Sequence, residues 1–98
     1  MKRYSLKISG RVQGVGFRYF SQLTATNLLL TGYVKNLYSG EVIIEVQGKQ
    51  ENIDQFINTI LNGNKFSKVY DINLYELPII NDEKRFSIKY FINNYNTF

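Results

Sequence analysis

The feature that most constrains the fold of this chain is a glycine-rich segment, Gly10 to Arg18, with the sequence GRVQGVGFR. It follows residues 4 to 9, in which apolar and polar side chains alternate with the period of a half-buried β-strand. It precedes residues 17 to 28, in which apolar side chains recur every three or four positions, as in a helix buried on one side. The chain must therefore pass from a strand into a helix through backbone conformations that glycine adopts most easily.

The predicted helix start near Phe17 lacks a conventional cap. None of residues 13 to 16 is Ser, Thr, Asp or Asn, the side chains that usually accept hydrogen bonds from the first N–H groups of a helix. Arg18 would lie in the first turn, where a cation opposes the helix dipole. A bound anion would satisfy the N–H groups and pair with the arginine. We interpret the segment as an anion site; the simpler alternative is a plain turn whose arginine extends into solvent.

Two segments of the chain combine glycines with specific apolar and polar residues. The first contains Gly10, Val12, Gln13, Gly14, Val15, Phe17 and Arg18. The second contains Gly32, Tyr33, Val34, Lys35 and Asn36, followed by Gly40, Val42 and Gly48. Together they resemble the two sequence signatures of the acylphosphatase family. The resemblance extends over about residues 4 to 90, so it concerns nearly the whole chain and not an isolated motif.

The resemblance implies hydrolysis of the carboxyl–phosphate anhydride bond of small acyl phosphates, giving a carboxylate and inorganic phosphate. Arg18 would bind the phosphate and Asn36 would orient the attacking water. Inorganic phosphate or sulfate would compete as anions. The backbone N–H groups expected to hold the phosphate are those of Gln13, Gly14, Val15, Gly16, Phe17 and Arg18. The acyl group of the physiological substrate is not indicated by any of these residues.

The composition limits the available chemistry. The chain of 98 residues contains no cysteine and no histidine, so it lacks a thiolate nucleophile and the commonest general base and zinc ligand. Its eight Asp and Glu residues are scattered along the sequence. We therefore expect no metal ion and no cofactor. Acyl phosphates already contain a good leaving group, so a site made of hydrogen-bond donors and an arginine is chemically adequate.

The predicted elements are a strand, a helix (residues 17 to 28), strands at 33–37 and 41–47, a helix at 50–62, and strands at 69–77 and 85–92. This order predicts an α+β fold of the ferredoxin-like split βαβ type (βαββαβ), with an antiparallel sheet and two helices on one face. We expect one domain over residues 1–98, with a core at about 4–90 and a tail at 91–98.

Two positions have an alternative interpretation or a conflict with the resemblance. Asn36 shares its strand parity with Val34, which places the amide on the core side, but an asparagine could also simply begin the turn that ends at Gly40. Leu29 stands where the family commonly has a helix-ending glycine. Either the first helix ends differently here or Leu29 is strained.

The net charge of +4 favours anionic partners without choosing among them. A nucleic-acid-binding module is the main rival, because ferredoxin-like sheets also bind RNA on exposed aromatic residues. Glu41 and Glu45 in the third predicted strand disagree with that rival. A regulatory domain that binds an anion without turnover is a third possibility. We expect no nucleic-acid partner.

The sequence shows no apolar leader and no apolar run of membrane-spanning length. We therefore expect a cytoplasmic protein without a membrane partner. We also expect a monomer, although no residue pattern here indicates the oligomeric state. The tail at 91–98 is predicted to be frayed, or else to place Tyr95 or Phe98 on the open face of the sheet.

Overall fold

The computed structural model describes residues 1 to 90, which form one five-stranded sheet and two helices. In chain order the elements are β1 (Lys2–Arg11), α1 (Phe17–Asn27), β2 (Thr31–Asn36), β3 (Val42–Gly48), α2 (Gln50–Asn62), β4 (Lys68–Leu77) and β5 (Phe86–Lys89). The strands lie in the order β4-β1-β3-β2-β5. The predicted α+β, ferredoxin-like arrangement is confirmed.

One strand pair differs from the predicted antiparallel sheet. β1 pairs antiparallel with β3 and β4, and β2 pairs antiparallel with β3, but β5 lies parallel to β2 at the edge. β4 lies at the opposite edge of the sheet and runs antiparallel to β1, so its direction is also opposite to that of β2. Residues 78–85 carry the chain to the other edge and reverse its direction. β5 therefore runs parallel to β2.

The core lies between the sheet and the helices because one parity of each central strand is apolar. Side chains that are fully buried on the sheet include Leu6, Ile8, Val34, Val42, Ile44 and Val46. The helices cover them with Phe17, Ala25, Ile53, Phe56 and Ile60, which recur at helical spacing. This layer fixes the end of β1 and the start of α1 relative to one another.

The end of α1 shows how the conflict at Leu29 is resolved. Leu29 has a φ of 59°, in the left-handed region that favours glycine. The N–H of Leu30 donates to the Ala25 carbonyl at 2.9 Å and that of Leu29 to the Thr26 carbonyl at 3.1 Å, the pattern of a Schellman cap. The helix therefore ends as it would with a glycine, and Leu29 is strained by roughly 1–2 kcal/mol.

The opposite face of the sheet carries an ion cluster at the start of β1, here called the Arg3 cluster: Arg3, Tyr33, Glu45, Gln47 and Glu83. The Arg3 guanidinium donates to Glu45 at 2.9 and 3.0 Å, to Glu83 at 2.8 Å and to Gln47 at 3.1 Å. Burial, followed by its hydrogen bond to Glu45, raises the pKa of Tyr33 to about 12, so the phenol remains a donor at neutral pH. The cluster fastens the 78–85 segment to the sheet.

Other element boundaries agree with the sequence to within about two residues, except at the last strand. β5 ends at Lys89, whereas the pattern predicted a strand over 85–92. Residues 91 and 92, and the predictions made for the tail, lie outside the described residues. The single-domain division therefore remains a prediction.

Candidate active site

A cleft of about 300 Å³ opens where β1 ends, α1 begins and β2 ends. Its lining residues are Val12, Gly14, Gly16, Phe17, Arg18, Tyr19, Asn36, Ile88 and Tyr90. Arg18 and Asn36, which sequence analysis took from two separate signatures, thus lie in one cleft. Arg11 does not line it; this residue is exposed at the end of β1, opposite Lys68 on β4.

The loop between β1 and α1 depends on left-handed backbone at two glycines. Gly14 has a φ of 73°, and Gly16, the N-cap of α1, has a φ of 75°. A Cβ built on Gly14 would meet no atom within 4 Å, so the conformation and not crowding favours glycine there. These conformations turn the chain so that backbone of the loop, and not only side chains, lines the cleft.

Within the described residues, the start of α1 lacks a conventional cap, as the sequence predicted. The N-cap residue is Gly16, and no side chain of residues 1–90 caps the N–H groups of the first turn. That turn also contains no acidic residue. Counting from the start of α1, the first backbone N–H that donates to a carbonyl of the described residues is that of Phe20, which donates to the Gly16 carbonyl at 3.0 Å. The preceding N–H groups, including those of Phe17 and Arg18, are therefore available to an anionic ligand.

Two side-chain amides hold this loop from opposite sides. Gln13 Nε2 donates to the carbonyls of Leu37 and Glu41, each at 2.7 Å, which joins the loop to the β2–β3 turn. Asn64 Nδ2 donates to the Val15 carbonyl at 2.9 Å, which joins it to the end of α2. The sequence predicted only a backbone role for Gln13 and no role in this loop for Asn64. Neither long-range partner has a local sequence signal.

Arg18 is the second residue of α1, and its guanidinium lies at the side of the cleft. Its Nη1 donates to the Lys89 carbonyl at 3.3 Å, and its Cζ lies 4.9 Å from the centre of the Tyr90 ring. Among the residues that the structure describes, no carboxylate forms an ion pair with it. The positive charge is therefore not neutralised within the described fold and can pair with an anion in the cleft.

Asn36 ends β2 on the core side of the sheet, in register with Val42 of β3. Its Oδ1 atom is buried and accepts no hydrogen bond from any described residue. A buried unsatisfied oxygen costs roughly 1–3 kcal/mol, so such an atom calls for an explanation. The turn after β2 closes without this side chain, because the Leu37 N–H donates to the Glu41 carbonyl at 2.8 Å. The geometry thus gives the turn interpretation of Asn36 no support.

Residues 1–90 contain no group of three or more acidic, His or Cys side chains arranged to hold a metal ion. Neither α1 nor α2 has the length and apolar character needed to cross a membrane.

Ile88 and Tyr90 line the cleft although sequence analysis assigned them no role there. A partial signal was present, since both share the strand parity of the buried Phe86. What the pattern lacked was the position of β5. Its pairing beside β2 carries the end of this strand to Arg18.

Comparison with known proteins points to one family. The family model described as Acylphosphatase matches residues 4–88. The acylphosphatase of Clostridium beijerinckii is 59% identical over 90 residues, which cover 92% of this chain and 100% of that protein. The acylphosphatase of Clostridium acetobutylicum is 48% identical, with 92% of this chain and 99% of that protein covered.

Solved structures show the same likeness. The crystal structure of acylphosphatase from Bacillus subtilis superposes with a TM-score of 0.88 at 43% identity, covering 92% of this chain and 100% of that one. Full-length HypF, solved in a phosphate- and nucleotide-bound form, matches with a TM-score of 0.79 at 34% identity, over 90% of this chain but only 12% of its own length. The chain belongs to the acylphosphatase family, whose members are metal-independent hydrolases of acyl phosphates.

Proposed function

We propose that hydrolysis of small acyl phosphates takes place in the cleft between the start of α1 and the end of β2. Arg18 and the backbone N–H groups of residues 13 to 18 bind the phosphate, and Asn36 orients the attacking water. One observation supports this proposal most strongly: the same cleft is lined by the uncapped start of α1, by Arg18, which pairs with no carboxylate of residues 1–90, and by Asn36, whose buried Oδ1 accepts no hydrogen bond from those residues.

The proposed reaction needs positioning and charge stabilisation more than proton transfer. The water oxygen forms a bond to phosphorus while the bond from phosphorus to the acyl oxygen breaks, and the carboxylate leaves with its electron pair. Preorganised N–H donors and a guanidinium stabilise the equatorial oxygens, where negative charge is spread in the transition state. A phosphate oxygen accepts the proton of the water, so the scheme needs no histidine.

The assigned role of Asn36 follows from its donor and acceptor chemistry. An amide accepts hydrogen bonds through its oxygen and donates them through its NH2 group, so the Asn36 side chain, which lines the cleft, can hold and orient a water. Such a contact fixes the direction of the water lone pair relative to the phosphorus. Fixing a nucleophile in line in this way removes much of the entropy cost of the reaction.

The partners proposed for this site follow from the same geometry. Inorganic phosphate and sulfate carry the anionic oxygens that the loop would bind, and both should compete with substrate. A cytoplasmic location, a monomeric state and the lack of a nucleic-acid partner belong to the proposal as well. Sedimentation, cell fractionation and RNA-binding measurements test these three points separately.

The direct experiment measures phosphate release from acetyl phosphate and benzoyl phosphate by the purified chain, with and without EDTA. We expect turnover that EDTA leaves unchanged, competitive inhibition by sulfate, and a higher melting temperature in sulfate, because the anion binds the native state. Loss of activity in EDTA, or sulfate that neither inhibits nor stabilises, would contradict the proposal. Salt-sensitive RNA binding without turnover would favour the nucleic-acid module instead.

A further inference from the structure

The aromatic ring of Tyr90 lies against the guanidinium of Arg18. Cζ of Arg18 is 4.9 Å from the ring centre, within the range of a cation–π contact. Tyr90 directly follows β5, and the residue before it, Lys89, supplies the carbonyl that accepts from Arg18 Nη1 at 3.3 Å. Two consecutive residues at the end of one strand therefore hold the same guanidinium, and Tyr90 also lines the cleft.

This arrangement differs from the usual way of holding an arginine. A carboxylate partner would fix the guanidinium but would also neutralise it and occupy its donors, in competition with a phosphate. An aromatic face attracts the guanidinium without neutralising its charge and is a much weaker hydrogen-bond acceptor than a carboxylate, so the N–H groups stay open to other partners. Of the five N–H donors of Arg18, the described residues engage one. The ring can thus restrict the side chain without reducing its capacity for an anion.

A restricted arginine binds an anion more tightly than a mobile one. Arg18 has four rotatable side-chain bonds, and ordering a long side chain at the moment of binding weakens affinity. A contact that already favours the bound orientation removes part of that cost. The end of β5 is well placed for this task because the parallel pairing with β2 fixes Lys89 in register with Lys35.

We propose that Tyr90 is a positioning residue that holds the Arg18 guanidinium at the cleft before the phosphate arrives. The proposal rests on the phosphate-binding role given to Arg18 above. It assigns the effect to the aromatic ring, since the ring makes the contact. It also predicts that Tyr90 acts on phosphate binding through Arg18 and not through the stability of the sheet.

The test measures the dissociation constant of inorganic phosphate, together with kcat and KM for benzoyl phosphate, in matched variants. In Tyr90→Ala we expect phosphate affinity to fall about two- to tenfold and KM to rise similarly, with a smaller change in kcat. Tyr90→Phe keeps the ring and should restore wild-type affinity. Tyr75→Ala is the control, because Tyr75 is equally exposed but lies on β4 opposite Ser5, outside the cleft.

A double-mutant cycle separates positioning through Arg18 from any other effect of the ring. In an Arg18→Ala background, Tyr90→Ala should produce no further loss of phosphate affinity, because its target has been removed. An equal loss in both backgrounds would overturn the proposal, as would an unchanged affinity in Tyr90→Ala or a failure of Tyr90→Phe to restore it. Melting temperatures of all variants show whether a change in affinity merely follows a change in folding.

Failure of the broader assignment would look different. If Arg18→Ala itself bound phosphate as tightly as the parent chain, both the role of Arg18 and the proposal for Tyr90 would be wrong. If Arg18→Ala lost affinity while Tyr90→Ala retained it, only the proposal for Tyr90 would be wrong.

Discussion

Arg3 and Arg18 differ in burial and in the number of partners that their guanidinium groups have. Arg3, at the start of β1, is 1% exposed and makes four hydrogen bonds to two carboxylates and an amide. Arg18, at the start of α1, makes one hydrogen bond of 3.3 Å and one ring contact in the described structure. The first guanidinium is satisfied within the fold, whereas the second keeps donors and charge for a ligand.

The contrast extends to the surroundings of each arginine. The Arg3 cluster contains acceptors for its donors, and it connects β1, β2, β3 and the 78–85 segment. The cleft shows the reverse: among residues 1–90, no side chain caps the start of α1, and the buried amide oxygen of Asn36, a lining residue, accepts no hydrogen bond. Complete pairing is what a structural ion cluster requires, and incomplete pairing in a cleft is what a binding site requires. The comparison predicts that substitutions in the first region change stability and those in the second change activity.

The largest effect is expected from removing the paired arginine. Arg3→Met should reduce the free energy of unfolding by about 3–5 kcal/mol, because Glu45 and Glu83 would be left as mostly buried carboxylates without the cation that pairs with both. Urea denaturation measures this loss. Adding Glu45→Gln and Glu83→Gln to the same variant should recover much of it. A loss below about 1 kcal/mol would show that the cluster is not the structural element described here.

Removing the available arginine should have the opposite signature. Arg18→Ala should lower kcat/KM by at least about 10²-fold, the scale for losing one preorganised donor. Its stability should be unchanged or slightly higher, because a cation that opposes the helix dipole is gone. Arg11→Ala, at an exposed site outside the cleft, is the matched control. Full activity in a folded Arg18→Ala protein would refute the assignment of Arg18.

Acid should weaken the paired region selectively. Burial alone would raise the pKa of Glu83, but hydrogen bonds from Arg3 and Thr31 and the nearby cations lower it below the ordinary 4.5. A carboxylate with a lowered pKa in the folded state stabilises fully above its unfolded pKa and loses that contribution as the pH falls through the folded value. We expect stability to decline below about pH 4.5 and Glu83→Gln to flatten that decline. An identical acid profile in Glu83→Gln would contradict this.

The smallest effect is expected at Leu29, which lies outside both regions. A substitution there changes stability without involving either arginine. Leu29→Gly should raise the free energy of unfolding by about 1 kcal/mol, because it relieves the left-handed strain at φ 59°. Leu29 is 84% exposed, so little packing is lost. Leu29→Ala, which shortens the side chain without relieving the strain, should not stabilise. Activity should remain that of the parent chain in both variants.

Local patterns were sufficient for most of the fold. The sequence predicted α2 over residues 50–62, and the structure places it at Gln50–Asn62, because apolar residues mark one face throughout and Gly63 ends the helix. The pattern also predicted the uncapped start of α1 and the core-side position of Asn36. Each of these features depends on residues within a few positions of one another.

Features that join distant parts of the chain were not predictable from such patterns. Arg3 stands at a polar position of an alternating strand, which suggests a solvated charge, yet its partners lie 42 to 80 positions away. The parallel placement of β5 likewise depends on where the chain crosses the sheet. The contact of Tyr90 with Arg18 follows from that placement and therefore became visible only in the structure.

The central claim is that the cleft divides its work, with Arg18 holding the phosphate and Asn36 the water. Measuring kcat and the phosphate dissociation constant on one Asn36→Ala preparation tests it most directly. We predict a fall in kcat of about 10²-fold or more with phosphate affinity within a few-fold of the parent chain, since the lost hydrogen bond acts mainly in the transition state. A normal kcat accompanied by a lowered denaturation midpoint would contradict the claim and return Asn36 to a structural role.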